Sequence, residues 1–255
     1  MNTVNQIIKK SEGDICSLFF TAGFPELLDT REILMSLDKE NVDFIEVGMP
    51  YSDPMADGPT IQYSSQVALQ NGMNLDLLFD QLEEIKGQIS TPLVLMGYFN
   101  QFLTYGEDRF LKRANQCGIE TLILPDLPMI EYEKKYKSLF AKYNMSNVFL
   151  ITPQTSEKRI RKIDEMTEAF IYVVSSPSIT GSSSGSIDVQ QEYFKRIREM
   201  NLKNPQIIGF GISDRAGFQR ANEALDGAII GSAYIKALDK GGVQATSGFL
   251  SQLRS

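Results

Sequence analysis

Eight times along this 255-residue chain, a short run of β-branched or aromatic apolar residues gives way to polar or Gly/Pro punctuation and then to a helical hydrophobic pattern. The expected strands are Ser17–Thr21, Asp43–Val47, Leu93–Met96, Thr121–Leu124, Asn147–Ile151, Phe170–Val174, Gln206–Phe210 and Gly227–Ile230. Amphipathic segments lie between them at Asp29–Glu40, Leu75–Lys86, Glu107–Gln116, Glu131–Tyr143, Glu157–Met166, Gln190–Met200 and Arg215–Ala224. A further helix is expected near Thr246–Arg254, and an extra one over Met1–Lys10. Consecutive parallel strands need a crossover, and a helix is the usual one, so strict alternation implies a parallel sheet. Eight such units in this length fit an α/β fold of the (β/α)₈ TIM barrel type, with a doubly wound open sheet as the alternative. No Pro/Gly/Ser linker divides the chain, so residues 1–255 read as one domain.

Composition removes whole classes of function. A hydrophobic content of 42% can build a substantial core, while a net charge of −7 argues against a nucleic-acid or basic membrane-docking face. No run approaches the roughly 18 apolar residues of a membrane span, and residues 1–15 lack a signal-peptide core. The expectation is a soluble cytoplasmic protein in which Cys16 and Cys117 are buried reduced thiols. The histidine count is 0, which excludes Ser-His-Asp and Cys-His nucleophiles and every imidazole metal site. Acid and base work falls to carboxylates, tyrosines and lysines, and no metal site is expected.

One acid sits where burial is costly. Glu46 interrupts the second apolar run beside its C-terminal end, and Asp53 and Asp57 follow on a Gly/Pro-bounded stretch. The segment from Gly48 to about Ile61 and the one at 175–187 are too long to be only connections. Both follow strands, on the face where barrels carry their chemistry, and their composition suits lids. Two glycine turns, Gly209-Phe210-Gly211-Ile212-Ser213 and Gly231-Ser232-Ala233, follow the last two expected strands and lead into helices. Bare backbone N–H groups at such helix starts can hold phosphate without a cationic side chain, although the glycines could also serve only to close tight turns. Asp214 stands where a dinucleotide fingerprint needs its third glycine, so that motif fails.

A phosphate-binding barrel could be an aldolase, an isomerase, a decarboxylase or a flavin enzyme. A Schiff-base aldolase needs a lysine at a strand end, and every lysine here falls in a helix, a helix end or a surface turn. Carbon–carbon cleavage would then rely on acid/base catalysis and a substrate with its own electron sink.

The stretch Phe44-Ile-Glu46-Val-Gly48-Met-Pro50-Tyr-Ser52-Asp53-Pro54-Met-Ala56-Asp57-Gly58-Pro59-Thr60-Ile-Gln62 closely resembles the signature of the tryptophan synthase alpha subunit family. Thr21-Ala-Gly23-Phe-Pro25, Leu95-Met96-Gly97-Tyr98-Phe-Asn100, Pro125-Asp126-Leu-Pro128 and the two glycine turns agree, so the resemblance runs from about residue 17 to residue 236. It implies a barrel that cleaves indole-3-glycerol phosphate to indole and glyceraldehyde 3-phosphate. By motif position Glu46 would be the general acid/base, and Asp57 would hold the indole N–H. Tyr172 would border the substrate, although it also fits a core aromatic. Thr180 and Gly181 match the family's mobile sixth loop. Phe19, Met96, Ile151, Phe210 and Ile229 would line the indole pocket, with Gly211, Gly231 and Ser232 at the phosphate. The resemblance further implies an alpha2beta2 assembly in which pyridoxal phosphate belongs to the beta subunit and this chain carries no cofactor. Asp53, Pro54, Asn100 and Pro128 match the family's contacts to beta. The sixth loop departs from the family, since Ser178-Ile179-Thr180-Gly181 lacks the usual preceding glycine and no arginine occurs between Arg161 and Arg196. Gln101 stands where many relatives have proline. An isomerase or flavin barrel, and a weakly catalytic allosteric partner of beta, are the competing readings.

Overall fold

The computed structural model describes residues 2–11, 14–54, 57–174, 185–209 and 211–254. Eight parallel strands pair in chain order: β1 (Cys16–Thr21), β2 (Phe44–Gly48), β3 (Leu93–Met96), β4 (Thr121–Ile123), β5 (Ser146–Ile151), β6 (Ile171–Val174), β7 (Gln206–Gly209) and β8 (Gly227–Ile230). Register Cys16↔Ala228 joins β8 back to β1, so the sheet is a closed barrel and the open-sheet alternative falls. All eight expected strands form, within a residue or two at each end.

The helices are α1 (Thr3–Lys10), α2 (Asp29–Lys39), α3 (Pro59–Gln70), α4 (Leu75–Ile85), α5 (Phe99–Tyr105), α6 (Glu107–Gln116), α7 (Met129–Glu131), α8 (Lys137–Lys142), α9 (Glu157–Met166), α10 (Gly185–Glu199), α11 (Arg215–Ala224), α12 (Ser232–Gly241) and α13 (Ala245–Arg254). Two were not foreseen, α3 and α5. The helix α3 buries Ser64 and Ser65 beside Ile61 and Ala68, and Ser64 Oγ lies 2.7 Å from Thr21 Oγ1. Serines on the buried face flatten the apolar periodicity from which a helix is read. The other, α5, follows closely on Gly97 at the end of β3, while α12 is the helix expected after the Gly231 turn. The expected continuous helix over Glu131–Tyr143 is interrupted by a π-helical turn at Tyr132–Tyr136. Both bounding tyrosines are buried there, Tyr132 edge-on to Phe149 and Tyr136 edge-on to Phe99.

The extra N-terminal helix closes one end of the barrel. Val4 and Ile8 of α1 are buried, and Asn2 caps the helix while its Nδ2 donates to Thr121 Oγ1 at 2.8 Å. Asn5 Nδ2 donates to the Ala169 carbonyl just before β6. These bonds satisfy buried amides that would otherwise be costly and tie α1 across the strand starts. Chemistry is left to the opposite, C-terminal mouth. Among the described residues no helix is long and apolar enough to cross a membrane.

Candidate active site

Every residue of β2, Phe-Ile-Glu-Val-Gly, is buried, and Glu46 is 0% exposed between Phe19 of β1 and Val94 of β3. Neither of its carboxyl oxygens has a hydrogen-bond partner among the described residues. Burial disfavours the charged form, the nearby Asp57 charge disfavours it further, and together they push the Glu46 carboxyl up to about 8. Glu46 is therefore protonated at neutral pH and able to donate.

Asp57 lies on the segment between β2 and α3. Burial raises its carboxyl, and the Tyr98 hydroxyl, donating to Asp57 Oδ2 at 3.0 Å, pulls it back. Asp57 has a donor that Glu46 lacks, so it ionises first and keeps its neighbour neutral. Two carboxyls in one cavity thus differ in how readily they ionise, the kind of difference on which carboxylate acid/base catalysis relies. Tyr172, level with Leu150 and Ile207 on the inward face of β6, is buried close enough for Glu46 and Asp57 to raise its hydroxyl further, and it stays neutral.

A cavity of about 550 Å³ opens above these groups. Its inner walls are Phe19, Glu46, Asp57, Met96, Tyr172 and Ile229, and its outer end carries Gly211, Ser213, Gly231, Ser232 and Lys236. Apolar rings and chains near the acids fit a flat aromatic group, while glycine turns and a helix start fit an anion. A second cavity of about 380 Å³ lies outside the barrel between α10 and α11 and holds neither acid.

Glycines make room for these side chains. A Cβ on Gly48 would come 2.5 Å from Phe19 Cζ, and one on Gly209 would come 2.0 Å from the Tyr172 phenol oxygen and 2.2 Å from two of its ring carbons. The sequence shows these residues only as strand-end punctuation, whereas each is the neighbouring strand's allowance for a ring that leans across it.

Of the substrate-site residues expected from sequence, Glu46, Asp57, Phe19, Met96, Tyr172, Ile229, Gly211, Gly231 and Ser232 are brought together. Thr180, Gly181 and Phe210 lie outside the described residues. Ile151 is fully buried but outside the cavity lining, because strand alternation puts it on the same face as Phe149, while Leu150 is the residue level with Tyr172. Lys236, Phe249 and Ile61 line the cavity without having been singled out, since each sits on a helix whose contribution to the mouth depends on the closed barrel. Burial pushes both cysteine thiols up to about 11, which leaves neither as a ready nucleophile.

Beside the mouth, the segments after β2, β3 and β4 are laced together. Asn100 Nδ2 donates to the Tyr51 hydroxyl at 3.0 Å, Gln101 Nε2 donates to the Pro50 carbonyl at 2.9 Å, and the Phe99 amide donates to Asp126 Oδ1 at 2.8 Å. In place of the common proline, Gln101 supplies one of these ties. Asp53, Asn100 and Pro128 are exposed on these three segments and Pro54 is partly so, with Leu103 at 40% and Ile130 at 56% exposed nearby.

Comparison with known proteins agrees on one family. The family model described as tryptophan synthase alpha chain matches residues 5–252. The tryptophan synthase alpha chain of Flavobacterium psychrophilum is 53% identical over 253 residues, covering 99% of this chain and 100% of that one. Among solved structures, the tryptophan synthase subunit alpha of Legionella pneumophila superposes with a TM-score of 0.89 at 28% identity, covering 100% of this chain and 97% of that one. A chain of the tryptophan synthase complex of Pyrococcus furiosus gives a TM-score of 0.82 at 32% identity, covering 94% and 96%.

Proposed function

Because this chain belongs to the tryptophan synthase alpha chain family, we propose that it is the lyase subunit that splits indole-3-glycerol phosphate into indole and glyceraldehyde 3-phosphate by carboxylate acid/base catalysis. The observation that carries the reading is the pair Glu46 and Asp57, the first without a hydrogen-bond partner among the described residues and the second held by the Tyr98 hydroxyl, in an apolar cavity whose far end suits an anion.

In this reading Glu46 gives its proton to indole carbon 3, which makes the ring an iminium-like electron sink. Asp57 accepts the indole N–H and offsets the growing positive charge. Glu46, now a carboxylate, takes the proton from the hydroxyl on the carbon attached to the ring. That carbon becomes the aldehyde of glyceraldehyde 3-phosphate, and the electrons of the broken C–C bond restore the indole ring. Glu46 ends the cycle protonated, as it began. Tyr172 packs against the substrate, Phe19, Met96 and Ile229 enclose the ring, and Gly211, Gly231 and Ser232 offer amides to phosphate, with Phe210, Thr180 and Gly181 as the family-matched contributors. The direct assay is indole release from indole-3-glycerol phosphate by the purified chain.

The pH dependence follows from the two carboxyls. Activity needs Glu46 protonated and Asp57 ionised, so it declines above about pH 8 and falls again on the acid side. Tyr98→Phe removes the one donor that lowers Asp57, so its acid limb should move to higher pH, with kcat/KM reduced about tenfold. A pH profile with an unmoved acid limb would show that Tyr98 does not hold Asp57.

The second function proposed is docking to a beta subunit that holds the pyridoxal phosphate, with Asp53, Pro54, Asn100 and Pro128 at the contact; this chain would carry no cofactor. Exposed Leu103 on α5 and Ile130 on α7, on the segments after β3 and β4, support it, since exposed apolar side chains among polar ones suit a protein surface. Ile130→Asp should weaken association about tenfold by calorimetry while leaving indole release by the isolated chain unchanged. An unchanged association constant would move the contact elsewhere.

A further inference from the structure

The cavity is polarised along its length. Its buried end holds the two carboxyls, and its open end holds one cation, Lys236, which lines the wall with Ser232 and Ala233. Lys236 follows Ser232 by four residues on α12, so the two share a helix face. The sequence gives no reason to expect a cation here, because Lys236 reads as one more helix-surface lysine.

The local electrostatics are unusual for such a lysine. The first turn of α12 contains no acid, and Lys236 stands in the turn after it. Lys236 makes no ion pair among the described residues. Asp239, one turn further along, receives a long bond from Tyr63 instead, at 3.4 Å. A helix start and an ammonium group that makes no ion pair among the described residues therefore share one stretch of cavity wall. An anion entering the cavity would supply a counter-charge.

We propose that Lys236 is a binding residue for the substrate's phosphate dianion, adding a side-chain charge to the backbone amides of the Gly211 and Gly231 turns and capturing the substrate phosphate-first at the open end. This rests on the indole-3-glycerol phosphate reading above and adds to it a residue that acts on binding and not on the chemical step. In a chain of net charge −7 with two carboxyls in the same cavity, such a cation also offsets repulsion of an incoming dianion. Phosphate held at the Lys236 end directs the ring to the Glu46 end, so the charge also fixes orientation.

The test is glycerol 3-phosphate binding by calorimetry to the full chain, together with steady-state indole release. Lys236→Met should weaken glycerol 3-phosphate about tenfold at low salt and raise KM by a similar factor, with kcat within about twofold. Lys236→Arg should recover most of the loss, and the gap between wild type and the Met variant should close as salt rises toward roughly 0.5 M. Binding of 3-indolepropanol, which lacks phosphate, should not change. Equal glycerol 3-phosphate affinity in wild type and Lys236→Met would overturn the proposal, as would a loss confined to kcat. If wild type binds glycerol 3-phosphate in a Lys236-dependent way yet releases no indole, the lyase reading fails and the phosphate site stands.

Discussion

Glu46→Gln is expected to lose indole release by about three orders of magnitude and at the same time to become more stable, by an amount that grows with pH. The first effect follows from replacing the proposed proton donor to carbon 3 with an amide of the same shape. The second comes from the unfolded chain. In the folded protein the carboxyl stays protonated until about pH 8, whereas in the unfolded chain it ionises around its ordinary value of 4.5. A group whose folded-state pKa is raised supports folding fully below the unfolded value, and that support drains away as pH rises toward the folded one. Across the window from 4.5 to 8 the wild type therefore loses stability that Gln, which cannot ionise, keeps. The difference should be small at pH 5 and reach roughly 3 kcal/mol at pH 7. Denaturant midpoints of both proteins at several pH values measure it. A stability difference independent of pH would mean that Glu46 is already ionised in the folded cavity and cannot be the proton donor. Full indole release by the variant would remove Glu46 from the chemistry altogether.

The same residue shows what the sequence discloses and what it hides. An acid within a strand-like run is visible as an anomaly because charge in an apolar run has a physical cost, and the β-branched runs around it are visible because a parallel strand buried on both faces leaves no alternation to disguise it. The closed barrel follows from eight repeats of that pattern. What escapes is whatever depends on the neighbouring strand. Ile151 reads as a pocket residue until the register with β6 sets it level with Val173 and not with Tyr172. Ser64 and Ser65 look like loop residues until α3 packs them against β1, where Thr21 meets Ser64. Lys236 has no visible role until the barrel closes and brings its helix face to the cavity that Glu46 enters from the other side.

The largest stability effect should come from a position with no side chain at all. Gly209 ends β7 on the inward face, in register with Val174 of β6 and Ile229 of β8, and the Tyr172 ring lies across it. A methyl group there would occupy the space of the phenol oxygen and of two ring carbons, so neither a rotated hydroxyl nor a small shift relieves the overlap. Tyr172 is 5% exposed and walled by its own strand, and it can yield only by leaving its rotamer and entering the cavity. Gly209→Ala is therefore expected to cost about 3 kcal/mol and to lower kcat/KM at least a hundredfold by putting the ring where substrate belongs. Tyr172→Phe in the same chain should not rescue it, because the overlapping ring carbons remain. Tyr172→Ala removes the atoms in conflict at the cost of a cavity of its own, so the double variant should lose less than the sum of the two single losses, and a double-mutant cycle should return a coupling of about 2 kcal/mol. Additive losses in that cycle would mean that the two residues do not share the space the geometry gives them. That coupling without any return of indole release in the double variant would separate the ring's packing in the barrel mouth from its proposed place beside the substrate.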